Sequence, residues 1–308
     1  MIPGVSRRVP PVVAVVGPTA AGKSDLALAI AEALGGEVVN TDSMQLYRGM
    51  DIGTAKLPEA ERRGVTHHLL DVLDVREPAT VAAFQREARA AVEECWKRGA
   101  TPILVGGSAL YTRAVLDRFD FPGTSSEIRA RLEAELDSLG PEPLHTRLAA
   151  LDAPAAERIS STNGRRVVRA LEVLELTGRP FSATLPSLRY FYDRAVQIGL
   201  EIPRPVLDQR IAARVQRMWA AGFVEEVRRL SATGLREGRT ASRALGYQQV
   251  LAFLEGDLTE EKARLQTVAG TRRFARRQTA WFGKDPRISW VAWDDPRRVQ
   301  ASLAVIAR

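Results

Sequence analysis

Hydrophobic and polar positions divide the chain into two textures. In the first third, short apolar runs alternate with amphipathic stretches. "VVAVV" from Val12 reads as a buried strand, 23–34 as a helix closed by Gly35 and Gly36, and "EVVNTDS" as the next strand, leaving Asp42 at its carboxyl end. A helix over 81–98 leads into "TPILVGGSALY", a buried strand that runs into a glycine turn and another helix. This alternation predicts a parallel sheet covered on both faces, with ligands bound beyond the carboxyl ends of its strands.

Beyond Phe121 the strand pattern stops. From Ser126 to Gly178 only helical periodicity appears, in "EIRARLEAELDSL", "LHTRLAALD" and "RRVVRALEVLELTG", with Pro and Gly between the segments. "AVQIGLEI" at 195–202 restores strand character and looks like another member of the sheet. Helices over 205–222, 223–231 and 259–282 follow, and "RISWVAW" offers a last strand. The predicted fold class is α/β: a parallel sheet of the P-loop type flanked by helices, with an all-helical insertion domain. The core spans 1–120, the insertion 121–204, and the rest of the core, with basic C-terminal helices, 205–308.

Composition narrows the function. A chain of 308 residues with 45% hydrophobic content can bury a full core, which excludes general disorder. Lys and Arg outnumber Asp and Glu by 44 to 37, so a polyanionic partner fits the net charge of +7. Cys95 is the single cysteine and has no intramolecular partner, as expected of a reduced, cytoplasmic setting. Apolar runs all fall short of the ~18 residues a membrane helix needs, and "MIPGVSRRVPPVVAVVG" has no small-residue cleavage site. No membrane association and no removed leader are expected.

The strongest motif is "GPTAAGKS", Gly17-Pro18-Thr19-Ala20-Ala21-Gly22-Lys23-Ser24, between a predicted strand and a predicted helix. Glycines let the backbone amides and the helix N-terminus converge on an anion, Lys23 adds a point charge, and the Ser24 hydroxyl suits Mg²⁺. The motif predicts a bound di- or triphosphate without saying which. Asp42, in "NTDSMQLYRGMDIGTAK", could serve as general base, metal ligand or helix cap. "GGSALY" at 106–111 ends another strand with a glycine pair and a hydroxyl. Arg210 and Arg214 share one helix face, as do Arg165 and Arg169. Arg272, Arg273, Arg276 and Arg277 form two adjacent rows beside Phe274, Trp281 and Phe282. Such rows suit phosphate tracking and base stacking on RNA, or else form solvated helix faces.

"GPTAAGKS", "NTDSMQLYRGMDIGTAK", "HHLLDV", "PILVGGSALY", "NGRRVVRALEV", "RALGYQQ" and "TRRFARRQTAWF" stand in the order and spacing of tRNA dimethylallyltransferases, and the chain resembles that family from Val12 to Phe282. The resemblance implies that the loop holds the diphosphate of dimethylallyl diphosphate as a leaving group, with Mg²⁺ at Ser24 as cofactor. The acceptor it implies is the exocyclic amine of the adenosine 3′ to the anticodon, in tRNAs reading codons that begin with U. It implies Asp42 as general base, with Thr19 and Arg214 assisting on the diphosphate. It also implies tRNA contacts at Asp42, Ser43, Met44, Gln45, Ser108 and Arg129, along the run Arg165, Arg166, Val167, Val168, Arg169, and along the run Arg243, Ala244, Leu245, Gly246, Tyr247, Gln248. Arg273 and Arg277 join these from the basic rows. The expected partner is the tRNA anticodon stem-loop, its target base extruded into a pocket, and the expected state is a monomer.

The chain departs from the family pattern in small ways: Ser108 replaces a commoner threonine, Gly164 a frequent proline and Gln248 a frequent basic residue. His67 and His68 lack metal-site spacing to Cys95 or His145, so zinc is not expected. Two rival readings share the phosphate loop, an adenylate isopentenyltransferase acting on a free nucleotide and a small-molecule kinase. The helical insertion and the arginine-rich helices argue against both.

Overall fold

The computed structural model of the protein describes residues 9–119, 121–181 and 188–308. The stretch up to Arg8, part of the segment read as carrying no leader, lies outside the described residues. Among these residues the chain divides into two compact units: one runs up to Leu116 and resumes over Tyr190–Arg308, and the other is Asp117–Arg189.

The first unit is built on a six-stranded, wholly parallel sheet. Its strands are β1 (Val12–Val16), β2 (Gly36–Asn40), β3 (His67–His68), β4 (Thr101–Val105), β5 (Ala195–Glu201) and β6 (Ile288–Ala292), in the order β3-β2-β4-β1-β5-β6. All five residues of β1 are buried, as expected of a β-branched run covered on both faces. Val12, Ala14 and Val16 pack with Phe84, Ala88 and Val92 of α2 (Val81–Lys97) on one side. Val13 and Val15 pack on the other with Leu26 and Ile30 of α1 (Lys23–Leu34). The unit's remaining helices are α3 (Ala109–Leu116), α8 (Arg204–Ala220), α9 (Phe223–Ala232), α10 (Tyr247–Leu254), α11 (Glu260–Phe282) and α12 (Arg298–Ile306). A third apolar cluster joins α9 and α10 to the chain after β2 through Tyr47, Met50, Phe223 and Tyr247.

Two expectations need correction. The second strand ends at Asn40, so "TDS" is not part of it and Asp42 lies in the turn beyond. The insertion is Asp117–Arg189, not 121–204, because β5 belongs to the sheet and pairs along its length with β1. The apolar stretch 195–201 supplies that partner, whereas the helical unit closes its core without it.

That unit consists of α4 (Ser126–Leu139), α5 (Pro141–Leu151), α6 (Ala153–Arg158) and α7 (Gly164–Thr177) around Leu132, Leu144, Leu148, Val167 and Leu171. Ser125, Asp152 and Asn163 cap α4, α6 and α7 by accepting N–H groups of the first turn. Its two ends meet: the Arg118 N–H donates to the Arg189 carbonyl at 2.9 Å.

Candidate active site

The carboxyl ends of β1, β2 and β4 carry the chemistry. After β1 the chain turns through Gly17, whose φ of 137° lies outside the range of other residues and whose missing side chain admits the Leu200 carbonyl. Gly22 stands at the N-terminus of α1 with no side-chain cap, which leaves the helix's first amides open. The Lys23 ammonium donates to the Pro18 carbonyl at 2.8 Å. Burial and the nearby Arg214 charge lower its pKa to about 8, and the Asp42 charge partly offsets them.

The paired arginines of α8 both reach this loop, so that face of the helix is not solvated. Arg210 donates from Nε to the Ala20 carbonyl at 2.8 Å, with its guanidinium 4.8 Å from the Trp293 ring. Arg214 donates to the Thr19 hydroxyl at 3.4 Å and to the Thr54 carbonyl at 3.3 Å. Asp42 is held by its neighbour: Asn40 accepts the Asp42 N–H at 2.8 Å and donates to the Asp42 carbonyl at 3.0 Å. The Asp42 Oδ1 accepts the Met44 N–H at 3.0 Å, so the carboxylate does shape a turn. That bond uses one lone pair and leaves the rest of the carboxylate available.

Two cavities meet here. The larger, of about 820 Å³, is bordered by Gly22, Lys23, Ser24, Gln45 and Arg210, and the smaller, of about 480 Å³, by Ser43, Met44, Ser108, the run Arg243–Gln248, Arg273 and Arg277. Thr19, Asp42, Thr54, Arg214 and Met218 border both. The Ser24 hydroxyl, exposed beside the larger cavity and without a hydrogen-bond partner among the described residues, fits a Mg²⁺ ligand by position and chemistry.

The residues expected on RNA separate into two kinds. Arg165, Arg166, Arg243, Gln248, Arg273 and Arg277 are exposed. Arg129 and Arg169 instead both grip the buried Glu172 of the helical unit, and Arg169 also donates to the Pro122 and Gly123 carbonyls. Burial pushes the Glu172 carboxyl up, and the two guanidiniums more than reverse this, leaving it below the usual carboxylate range. Val167 and Val168 are buried in that unit's core, and Ala244 and Tyr247 in the sheet unit, so none of these side chains offers a free surface. Arg272 likewise bonds within the fold, to the Asp208 carbonyl.

Three positions escaped the sequence reading. Of these, Asn40 carries the clearest signal, a polar end to an apolar strand. Glu226 is buried and accepts the N–H groups of Asp51, Ile52 and Gly53 and the Tyr247 hydroxyl, which fixes the loop that presents the Thr54 carbonyl. Gln278, buried on α11, accepts the Thr19 N–H. The last two signals sit inside helices of ordinary polar composition and could not be told from surface residues. The fold also brings His68 to Cys95, against the expectation from spacing: Glu37, His68 and Cys95 lie within 4.8 Å of one another. Arg98 holds both Glu37 oxygens there, at 2.9 and 2.7 Å, and keeps that carboxyl at about 2.

Residues 45–285 match the model of the IPP transferase family. A tRNA dimethylallyltransferase of Nocardioides sp. is 63% identical over 297 residues, 96% of each chain. One of Salinispora arenicola is 64% identical over 280 residues, 91% of this chain and 82% of that one. Among solved structures, a tRNA isopentenylpyrophosphate transferase of Bacillus halodurans superposes with a TM-score of 0.71 at 38% identity, covering 96% and 95% of the two chains. A eukaryotic dimethylallyltransferase acting on tRNA gives a TM-score of 0.82 at 27% identity, covering 96% of this chain and 77% of the other.

Proposed function

The chain belongs to the IPP transferase family and is a tRNA-prenylating transferase, and we propose that its two cavities divide the reaction between donor and acceptor. The observation that carries this reading is the shared border, where Thr19, Asp42 and Arg214 stand between the phosphate loop and the smaller cavity. The donor is dimethylallyl diphosphate, its diphosphate lying in the larger cavity against Lys23, the first amides of α1 and Arg214. Lys23, Arg210 and Arg214 all reach the phosphate loop there, while of the carboxylates bordering the cavity, Asp25, Asp42, Asp51 and Glu61, none is hydrogen-bonded to them, which leaves their charge available to an anionic ligand. Ser24 would hold Mg²⁺, which supplies further charge neutralisation to the leaving diphosphate.

The acceptor adenine enters through the smaller cavity. Its exocyclic nitrogen attacks the allylic carbon, the carbon–oxygen bond breaks with its electron pair passing to the diphosphate, and the nitrogen's proton goes to Asp42. The exposed arginines Arg165, Arg166, Arg243, Arg273 and Arg277 suit the tRNA backbone. The target is the adenosine 3′ to the anticodon in tRNAs reading codons that begin with U.

Labelled dimethylallyl diphosphate supplied with Mg²⁺ and either bulk tRNA or AMP tests this reading. Label is expected in one modified adenosine of tRNA. Label in AMP alone would make the chain a free-nucleotide transferase. Phosphoryl transfer from ATP with no prenyl transfer would make it a kinase.

A further inference from the structure

Gln278 lies on α11, one position beyond Arg277, with its side chain buried. Its Oε1 accepts the Thr19 N–H at 2.9 Å, and its Nε2 donates to the Gly107 carbonyl at 2.8 Å. The partners fix the amide's orientation, because an N–H can face only the oxygen and a carbonyl only the nitrogen. Gly107 is fitted to this contact: a Cβ there would stand 2.3 Å from Nε2. On its other side the same turn is held by Thr41, which a Cβ at Gly106 would meet at 2.2 Å. One side chain thus ties the loop after β1 to the turn after β4, across a border where Thr19 also takes a hydrogen bond from Arg214. The bond to Gln278 occupies the Thr19 backbone N–H, whereas the Thr19 hydroxyl is engaged by Arg214.

From this arrangement we infer that Gln278 is a positioning residue of the transfer reaction, joining Thr19 to Gly107 and so setting the donor loop against the turn whose next residue, Ser108, borders the acceptor cavity. It touches neither reactant and acts through Thr19 and the glycine turn. The inference rests on the assignment of the phosphate loop as the donor site. Because α11 also carries Arg273 and Arg277 beside the smaller cavity, one helix spans both halves of the reaction.

Gln278→Met keeps length and burial and removes both hydrogen bonds. Its transfer rate in a single turnover, with dimethylallyl diphosphate and tRNA saturating, is expected to fall about 10- to 100-fold, the scale of a small misplacement of reacting groups. Affinity for tRNA is expected to stay within about twofold, since no phosphate contact is lost. Rates are taken below the variant's melting temperature and expressed per folded molecule. A role confined to stability would lower the melting temperature and leave that rate at the wild-type level, which would overturn the inference, as would a variant with rate and melting temperature both unchanged. Gln278→Glu, which can accept from Thr19 but sets a carboxylate against the Gly107 carbonyl, gives the same comparison if the methionine variant does not fold. Stabilisation of the wild-type protein by inorganic diphosphate and Mg²⁺ is the separate check on the donor site. If it is missing, the donor assignment itself falls and the inference with it. If it is present and the variants turn over normally, only the role of Gln278 falls.

Discussion

Asp42 and Lys23 are the residues whose chemistry the structure constrains most. Asn40 clamps the Asp42 backbone from both sides, and Oδ1 holds the Met44 N–H, so Asp42→Asn can keep the turn while losing the ability to take a proton. Donor binding is expected to persist in that variant and the transfer rate to drop about 10²- to 10⁴-fold. A near-normal rate with saturating tRNA would leave Asp42 a turn residue. For Lys23 the sign follows from a pKa lowered to about 8: the ammonium is intact below that pH and is lost as pH rises through it. Diphosphate affinity is therefore expected to hold below about pH 8 and weaken above it, with proton uptake on binding near that pH. Calorimetry in buffers of different ionisation enthalpy detects the uptake, and Lys23→Met should abolish it. Asp42 and Lys23 were legible in the sequence because their motifs are short and contiguous. Glu226 and Gln278 were not, because each acts on a loop that only folding brings near, whereas Asn40 acts on Asp42 two residues along and its signal, a polar end to an apolar strand, is local.

Among the elements, the helices carrying basic rows show where pattern alone is ambiguous. On α7 the pair Arg165 and Arg169 reads as one face, yet Arg165 is exposed and Arg169 is spent on the buried Glu172. The two changes are expected to act differently. Arg165→Gln with Arg166→Gln should flatten the salt dependence of tRNA affinity by about 0.7 in log–log slope per lost phosphate contact, with little change in melting temperature. Arg169→Gln should instead destabilise the helical unit, by about 1.5–3 kcal/mol for hydrogen bonds to a charged group, and leave the slope unaltered. A salt series beside a melting curve separates the two. On α8 the outcome is the reverse: Arg210 and Arg214, spaced like any solvated pair, both turn inward to the phosphate loop. Periodicity located these helices within a few residues, but which partner each arginine meets depends on chain brought from elsewhere.

At the scale of the whole molecule, the alternating apolar runs were enough to anticipate a parallel sheet interrupted by helices. They were not enough to place the interruption's end, because a strand that returns after a long excursion looks no different from one that begins a new domain. Arg118 bonds to Arg189, and the Phe191 N–H donates to the Leu116 carbonyl at 2.7 Å, so the excursion leaves and re-enters at neighbouring points. Replacing 117–189 by a short linker is expected to leave a folded sheet unit that still binds diphosphate and has lost much of its tRNA affinity. Loss of the fold, seen by calorimetry, would show that the sheet unit depends on the insertion.

The same topology orders events during synthesis. The phosphate loop is made early, but Gly17 closes against the backbone of Leu200, and Thr19 is anchored by Gln278, 259 residues further on. At about 5–20 residues per second, that interval lasts about 13–50 s on the ribosome. Throughout it the nascent chain carries its most recognisable motif in an unfinished form. A transcript broken upstream of Gln278 would therefore yield a polypeptide that bears the family signature and has no assembled centre. Activity can begin only after Gln278 has been made and has left the ribosome.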